Sequence, residues 1–192
     1  MLTIGDQFPQ YDIAALIGGD LDQIAVASPD DYFTTATSTD SLGRWRVVFF
    51  WPKDFTFVCP TEIAEFGRLF ARFQELNADV LGVSTDSEYV HYAWRTQLPI
   101  IKELPFPMGA DMNRALTGDL GILTAGGVAQ RATFIVNPDN VIEFVMVTAG
   151  SVGRNVEEVV RVLEALQTGE LTPCAWSPGQ ATIDALDRMR EK

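Results

Sequence analysis

Trp45-Arg46-Val47-Val48-Phe49-Phe50-Trp51 runs directly into Pro52-Lys53-Asp54-Phe55-Thr56-Phe57-Val58-Cys59-Pro60-Thr61-Glu62. The first seven residues form an apolar and aromatic run, the pattern of a strand buried on both faces. Beyond Cys59, apolar residues fall at Ile63, Phe66, Leu69, Phe70, Phe73 and Leu76, the spacing of one helical face. Pro60 suits the first helical position, where a missing N–H costs nothing. Cys59 therefore sits where a strand hands over to a helix. Free N–H groups and the positive end of the helix dipole at such a junction favour a thiolate. From position alone, a nucleophile and a small buried hydrophobe are equally good readings of this cysteine.

The remainder of the chain sets the limits. Its 192 residues, 47% of them hydrophobic, suffice for one domain with a full core. With 14 basic against 26 acidic residues the net charge is −12, which argues against nucleic acid or an anionic membrane surface as partner. Met1 to Asp6 lacks the pattern of a signal peptide, and no apolar run approaches the ~20 residues of a membrane span. The expectation is a cytoplasmic protein. In a reducing compartment, Cys59 and Cys174, far apart in the chain, favour catalysis over a structural bridge. His91 is the only histidine, so one chain can assemble neither a zinc-like His cluster nor a Ser-His-Asp triad.

Outward from the central stretch, Tyr32 to Ser38 reads as a strand closed by Ser41-Leu42-Gly43, and Asp79 to Thr85 as another strand. Ser87 to Gln97 reads as a helix ending before Pro99, and Asp111 to Thr117 as a shorter one. Arg131 to Val136 and Val141 to Val147 flank Asn137-Pro138-Asp139-Asn140, a turn that makes them a β-hairpin. Asn155 can cap a last helix, with Glu158 three residues on, a stripe of Val156, Val159, Val160, Leu163 and Leu166, and Gly169 as the stop. The order β, α, β, α, β, β, α, with a cysteine at a strand-to-helix junction, predicts a thioredoxin-like α/β sandwich whose site lies at the carboxyl ends of strands. Residues 1–170 form this domain. Residues 171–192 form a C-terminal tail, Leu171-Thr172-Pro173-Cys174-Ala175-Trp176-Ser177-Pro178-Gly179 followed by a weakly helical end.

Pro52-x-x-x-Thr56-x-x-Cys59 is the signature of peroxiredoxins, and Phe49 through Glu62 resembles the alkyl hydroperoxide reductase C group of two-cysteine peroxiredoxins. Leu81-Gly82-Val83-Ser84 with Asp86-Ser87, Leu104-Pro105-Phe106-Pro107-Met108, Arg131-Ala132-Thr133-Phe134-Ile135-Val136 and Val152-Gly153-Arg154-Asn155 resemble further blocks in the family's order. The resemblance runs from about Leu2 to Gly179, and Asp30 to Trp45 is most similar to the mycobacterial and related actinobacterial form.

The resemblance implies the peroxiredoxin fold and a thiol-dependent peroxidase that works without haem, metal or flavin. Cys59 is then the peroxidatic cysteine and Cys174 the resolving cysteine, acting from the tail of the partner subunit. Thr56 offers a hydroxyl to thiolate and peroxide, Pro52 shields the sulfur, and Arg131 supplies a cation over the developing charge. Glu62 can orient Arg131 bidentately, with Arg154 as a second cation. Hydrogen peroxide, organic hydroperoxides and peroxynitrite are the implied substrates. Thioredoxin, an AhpD-like adaptor or a flavin-containing reductase is the implied donor, and a homodimer that can build a ring decamer the implied assembly. The mycobacterial relatives carry an additional tail cysteine, where this chain has Thr172 and Pro173. Two alternatives accompany this reading. A general dithiol-disulfide oxidoreductase needs a C-x-x-C pair, but positions 56 and 62 hold Thr and Glu; a holdase chaperone ring needs no cysteine at all. His91 reads as a helix-surface or packing residue with no catalytic role.

Overall fold

The computed structural model describes residues 1–23 and 28–184. They fall into two compact units, Met1–Arg154 and the segment from Asn155 on. In the first, strands β1 (Asp12–Leu16), β2 (Phe33–Thr37), β3 (Trp45–Phe50), β4 (Ala78–Ser84), β5 (Met108–Ala110), β6 (Arg131–Val136) and β7 (Ile142–Thr148) make one sheet in the order β2-β1-β5-β4-β3-β6-β7. The β3/β4 and β4/β5 pairs are parallel, as a strand-helix-strand crossover requires, and the others antiparallel. This is the thioredoxin-like sandwich expected from the element order.

Alternation along β3 divides the core. Val48 and Phe50 face a cluster with Phe8, Leu81, Phe134, Leu116 and Leu120. Phe49 packs on the opposite face, stacked on Phe66 with ring centroids 3.9 Å apart. Phe66 belongs to α1 (Cys59–Arg68). Gly82 on β4 leaves room for this packing, since a Cβ there would meet Phe49 at 2.7 Å and Trp51 at 2.9 Å.

Several expectations are corrected here. The apolar stripe from Ile63 to Leu76 lies on two helices, α1 and α2 (Phe70–Glu75), because the backbone leaves helical geometry at Leu69 (φ −92°, ψ 3°) while the side-chain period carries on. Cys59, rather than Pro60, opens α1. Strands β1 and β5 went unanticipated. The short helix expected at Asp111 to Thr117 is α4 (Ala115–Asp119), and Asp111 instead caps it, accepting from the backbone N–H groups of Leu116 and Thr117 at 3.2 and 2.8 Å. The expected helix after Ser87 is α3 (Glu88–Gln97), with the Ser87 hydroxyl accepting from the Val90 N–H.

The second unit opens with α5 (Val156–Thr168), where the Asn155 side chain accepts from the Glu158 N–H and Gly169, at φ 65°, ends the helix as expected. Its tail folds back on itself through Leu171 pairing with Ile183. The Trp176 indole donates to the Gln180 carbonyl at 3.0 Å. Trp176's own carbonyl accepts from Arg161 at 2.9 Å. The weakly helical end expected of the tail falls largely on residues 185–192, outside the described residues.

Candidate active site

The connection from β3 to α1 carries Cys59 to the carboxyl end of β3, where the residue is 2% exposed. β6 runs antiparallel to β3, with Phe49 opposite Thr133, so the first residue of β6 arrives at the same end. That residue is Arg131. Its odd position puts it on the Phe49 face, beneath α1, and two of its guanidinium nitrogens stand 3.7 and 3.8 Å from the Cys59 sulfur. The segment after β7 returns to this end as well, contributing the Gly150 carbonyl, which accepts from Arg131 at 2.9 Å, and Arg154.

Glu62 lies three residues beyond Cys59, one turn along α1. Its carboxylate binds both arginines. Arg131 donates through a single N–H, so the expected bidentate pairing of Glu62 with Arg131 is corrected. The two-pronged partner is Arg154, whose Nε donates to Oε1 at 3.0 Å and Nη2 to Oε2 at 3.2 Å, joined by its backbone N–H at 2.7 Å. Arg154 also donates to the Ala132 carbonyl and the Thr133 hydroxyl, and its guanidinium sits 5.2 Å from the Phe49 ring centre and 5.7 Å from that of Phe66. Burial pushes this guanidinium below its ordinary pKa, and the Glu62 carboxylate opposes the shift. With a carboxylate, two acceptors and two aromatic faces around it, Arg154 is a buried cation with compensated charge. Arg154 is thus an interior residue and not a solvated one beside the last helix. Arg131 differs: its Nε is buried and has no acceptor. A guanidinium with a spare donor, turned on a sulfur, is equipped to receive a further oxygen.

Arg131 and Pro52 line one cleft of about 560 Å³, together with Thr124, Gln130, Thr148 and Gly150. Another cavity, of about 340 Å³, lies between Tyr11, Arg46, Phe70 and Phe106; neither cavity is lined by a cysteine, and the first is the one that reaches Arg131. Thr56 is half-buried on the connection to α1, and its hydroxyl donates to the Lys53 carbonyl at 2.9 Å, which leaves the oxygen's lone pairs for an incoming donor. The structure thus brings Cys59, Glu62, Arg131 and Arg154 together, with Pro52 at the cleft beside them. Cys174 belongs to the second unit, where it is exposed next to Ala175, a residue in the left-handed region at φ 58°.

One pair went unread in the sequence. His91 is completely buried, which removes the helix-surface alternative and leaves it as an interior residue. Its Nδ1 meets Asp54 Oδ2 at 2.6 Å, and its Nε2 meets the Gly109 carbonyl at 3.2 Å. A signal was available: His91, Trp94 and Arg95 are spaced i, i+3, i+4 and are the buried face of α3. Among the described residues no cluster of His, Cys, Asp and Glu could hold a metal ion, and no helix is long and apolar enough to cross a membrane.

The family model for the AhpC/TSA family matches residues 4–145. Alkyl hydroperoxide reductase C of Mycolicibacterium smegmatis is 60% identical over 185 residues, 96% of this chain and 95% of that protein. A chloroplastic 2-cysteine peroxiredoxin of Chattonella marina is 42% identical over 84% of this chain and 88% of its own length. Among solved structures, Mycobacterium tuberculosis AhpC superposes with a TM-score of 0.87 at 60% identity, covering 92% of this chain and 99% of its own. The reduced 2-Cys peroxiredoxin of Plasmodium vivax gives 0.86 at 25% identity, covering 98% of each chain. The chain belongs to the AhpC/TSA family, as a peroxiredoxin of the alkyl hydroperoxide reductase C type.

Proposed function

We propose that this chain is a thiol-dependent peroxidase in which Cys59 reduces hydrogen peroxide and small organic hydroperoxides. The observation that carries the reading is the Arg131 guanidinium facing the Cys59 sulfur with two N–H groups at 3.7 and 3.8 Å. The Cys59 thiolate attacks the terminal peroxide oxygen. An S–O bond forms, the O–O bond breaks, and the departing oxygen leaves as water or alcohol after taking a proton. Arg131 stabilises both the thiolate and the charge that develops on the leaving oxygen, and Glu62, tied down by Arg154, keeps Arg131 in place. Thr56 accepts the peroxide's hydrogen, and Pro52 limits water at the sulfur.

The product is a Cys59 sulfenic acid. Cys174 of a second copy attacks its sulfur, releases water and leaves a disulfide, which a dithiol donor reduces with two electrons; a thioredoxin, an AhpD-like adaptor or a flavin-containing reductase fits this chemistry. Residues 1–170 act as the peroxidase domain and 171–192 as the tail that delivers Cys174. The enzyme acts in the cytoplasm as a homodimer able to form a ring. Support for self-association comes from β7, which ends the sheet order and beyond its first residue, Ile142, bonded to Gly5 and Asp6, is an edge strand. Cys59→Ser is expected to abolish peroxide consumption, whereas Cys174→Ser retains one fast turnover and accumulates sulfenic acid at Cys59. Normal turnover of Cys174→Ser with dithiol donors would overturn the resolving role.

A further inference from the structure

Asp54 sits between β3 and Cys59, at the centre of a network that the peroxidase chemistry leaves unused. Its Oδ1 accepts from the Trp51 indole at 2.7 Å, its Oδ2 meets His91 Nδ1 at 2.6 Å, and its own backbone N–H donates to Asp86 Oδ2 at 3.0 Å. Asp86 is held in turn by the Ser84 hydroxyl at 2.9 Å. Trp51, Asp54 and His91 are all buried. Both neighbours of the His91 ring, the Asp54 carboxylate and the Gly109 carbonyl, are acceptors. A ring flanked this way needs a proton on Nε2 for Gly109 and a second proton in the contact with Asp54. Wherever the second proton resides, on nitrogen or on oxygen, the pair as a whole is neutral and every polar atom in it is satisfied. That resolves the cost of burying a carboxylate and an imidazole in a dry interior.

The chain changes character immediately after Asp54. Phe55 is held in the left-handed region at φ 55°, unfavourable for a residue with a Cβ. Its side chain is half exposed, with its ring 6.1 Å from that of Trp94. A strained residue persists only where its surroundings dictate it. Here the fixed point is Asp54 on one side and the start of α1 on the other.

We propose that the Asp54–His91 pair is a proton-sharing clasp that positions the Cys59 segment, anchoring its upstream end to α3 and β5 so that the segment can unwind only beyond Asp54. The proposal rests on the reading of Cys59 as the peroxidatic residue and adds two positioning residues to it. With the clasp closed, Cys59 is held against Arg131 for the peroxide step. Strain at Phe55, next to the clasp, favours opening of the downstream segment when the sulfenic acid must leave that pocket to meet Cys174. Breaking the clasp therefore separates the two steps: oxidation slows because Cys59 spends less time in register with Arg131, and the resolving step does not.

The conservative change is Asp54→Asn, whose carbonyl still accepts from Trp51 and whose amide still donates to His91 Nδ1. His91→Phe keeps the ring volume but leaves Asp54 Oδ2 without its partner, and Asp54→Ala leaves His91 Nδ1 without its own. Stopped-flow tryptophan fluorescence with hydrogen peroxide reads oxidation and disulfide formation as separate phases. The oxidation rate constant is expected to fall by about tenfold or more in His91→Phe and Asp54→Ala, as misplacement of a reacting group does. The resolving phase should keep its rate, and Asp54→Asn should return oxidation to within about threefold of the wild type. Because His91 is the only histidine, ring ¹⁵N spectra of the labelled wild-type protein carry a single pair of signals. They should show a proton on Nε2 in both the wild type and Asp54→Asn. This readout remains if the broken-clasp variants fail to fold. A bare Nε2 in the wild type overturns the proposal, as does wild-type oxidation in folded His91→Phe, or a loss of both phases in equal proportion. Retained oxidation in Cys59→Ser would instead refute the underlying reading of Cys59.

Discussion

Replacing Arg131 with methionine removes the cation over Cys59 while keeping a long unbranched side chain. The guanidinium nitrogens stand 3.7 and 3.8 Å from the sulfur. Two unit charges about 4 Å apart interact by about 4 kcal/mol at an effective dielectric of about 20. The peroxide step moves negative charge from sulfur towards the departing oxygen without cancelling it, so only part of this interaction distinguishes the transition state from the thiolate. Loss of one preorganised donor of this kind costs about 3 kcal/mol. At about 1.36 kcal/mol per tenfold, the second-order rate constant for peroxide should fall by about a hundredfold. The fold is expected to survive, because Glu62 keeps three N–H donors from Arg154 and is not left as a bare buried charge. The Gly150 carbonyl loses its Arg131 donor, but Gly150 is exposed and water can replace it. Stopped-flow fluorescence at varied peroxide concentration measures the rate, and circular dichroism checks the fold. A folded variant within about threefold of the wild type, under 1 kcal/mol, would refute the role of Arg131 and transfer it to Arg154.

Peroxide treatment followed by non-reducing electrophoresis should give a dimer band that dithiothreitol collapses to monomer; a monomer containing an internal Cys59 to Cys174 link would refute the inter-subunit step. The family resemblance implies that peroxide-sensitive members hold the peroxidatic helix folded with a Gly-Gly-Leu-Gly loop and a C-terminal Tyr-Phe helix; the corresponding loop here reads Lys102-Glu103-Leu104-Pro105-Phe106-Pro107, and Leu186 to Lys192, outside the described residues, contains no aromatic. Without those two sequence features, local unwinding at Cys59 is expected to be easy, so mass spectrometry after turnover in millimolar-range peroxide should find disulfide with little sulfinic acid, and dominant sulfinic acid would sink the idea. Arg95 is completely buried and donates to the carbonyls of Ile17, Gly19, Ile101, Lys102 and Leu104. Burial lowers its guanidinium to about 10. Arg95→Met recovers that desolvation cost but strips the carbonyls of their shared donor, for a net loss of about 3 kcal/mol. In a thermal melt this corresponds to roughly 6–12 °C, and an unchanged Tm would show that these carbonyls are satisfied by other means.

What was legible in the sequence was local. The run Trp45 to Trp51 announces a buried strand by composition alone, and the Asn155, Glu158 and Gly169 signals bound α5 because capping is decided within one turn of the chain. Cys59 could be placed at a strand-to-helix junction for the same reason, and the spacing to Pro52 and Thr56 carried the family resemblance. The misses share a cause. β5 is three residues long and β1 five, and both exist because a neighbouring strand pairs with them. Leu69 breaks the helix without breaking the apolar period, because the second helix keeps its stripe turned the same way.

The site itself required the tertiary structure. Arg131 lies 72 residues from Cys59 in the chain, and only the antiparallel pairing of β3 with β6 brings it to the sulfur. Which arginine Glu62 grips with two prongs was likewise set in three dimensions. So was the fate of His91, which the sequence left on or beneath a helix surface and which the packing of α3 on β5 placed between two acceptors. Residue types state what chemistry is available, and periodicity states which face each residue takes; neither encodes which strand ends meet. That is decided when the sheet assembles, because its register determines which charges are buried together and must therefore be paired.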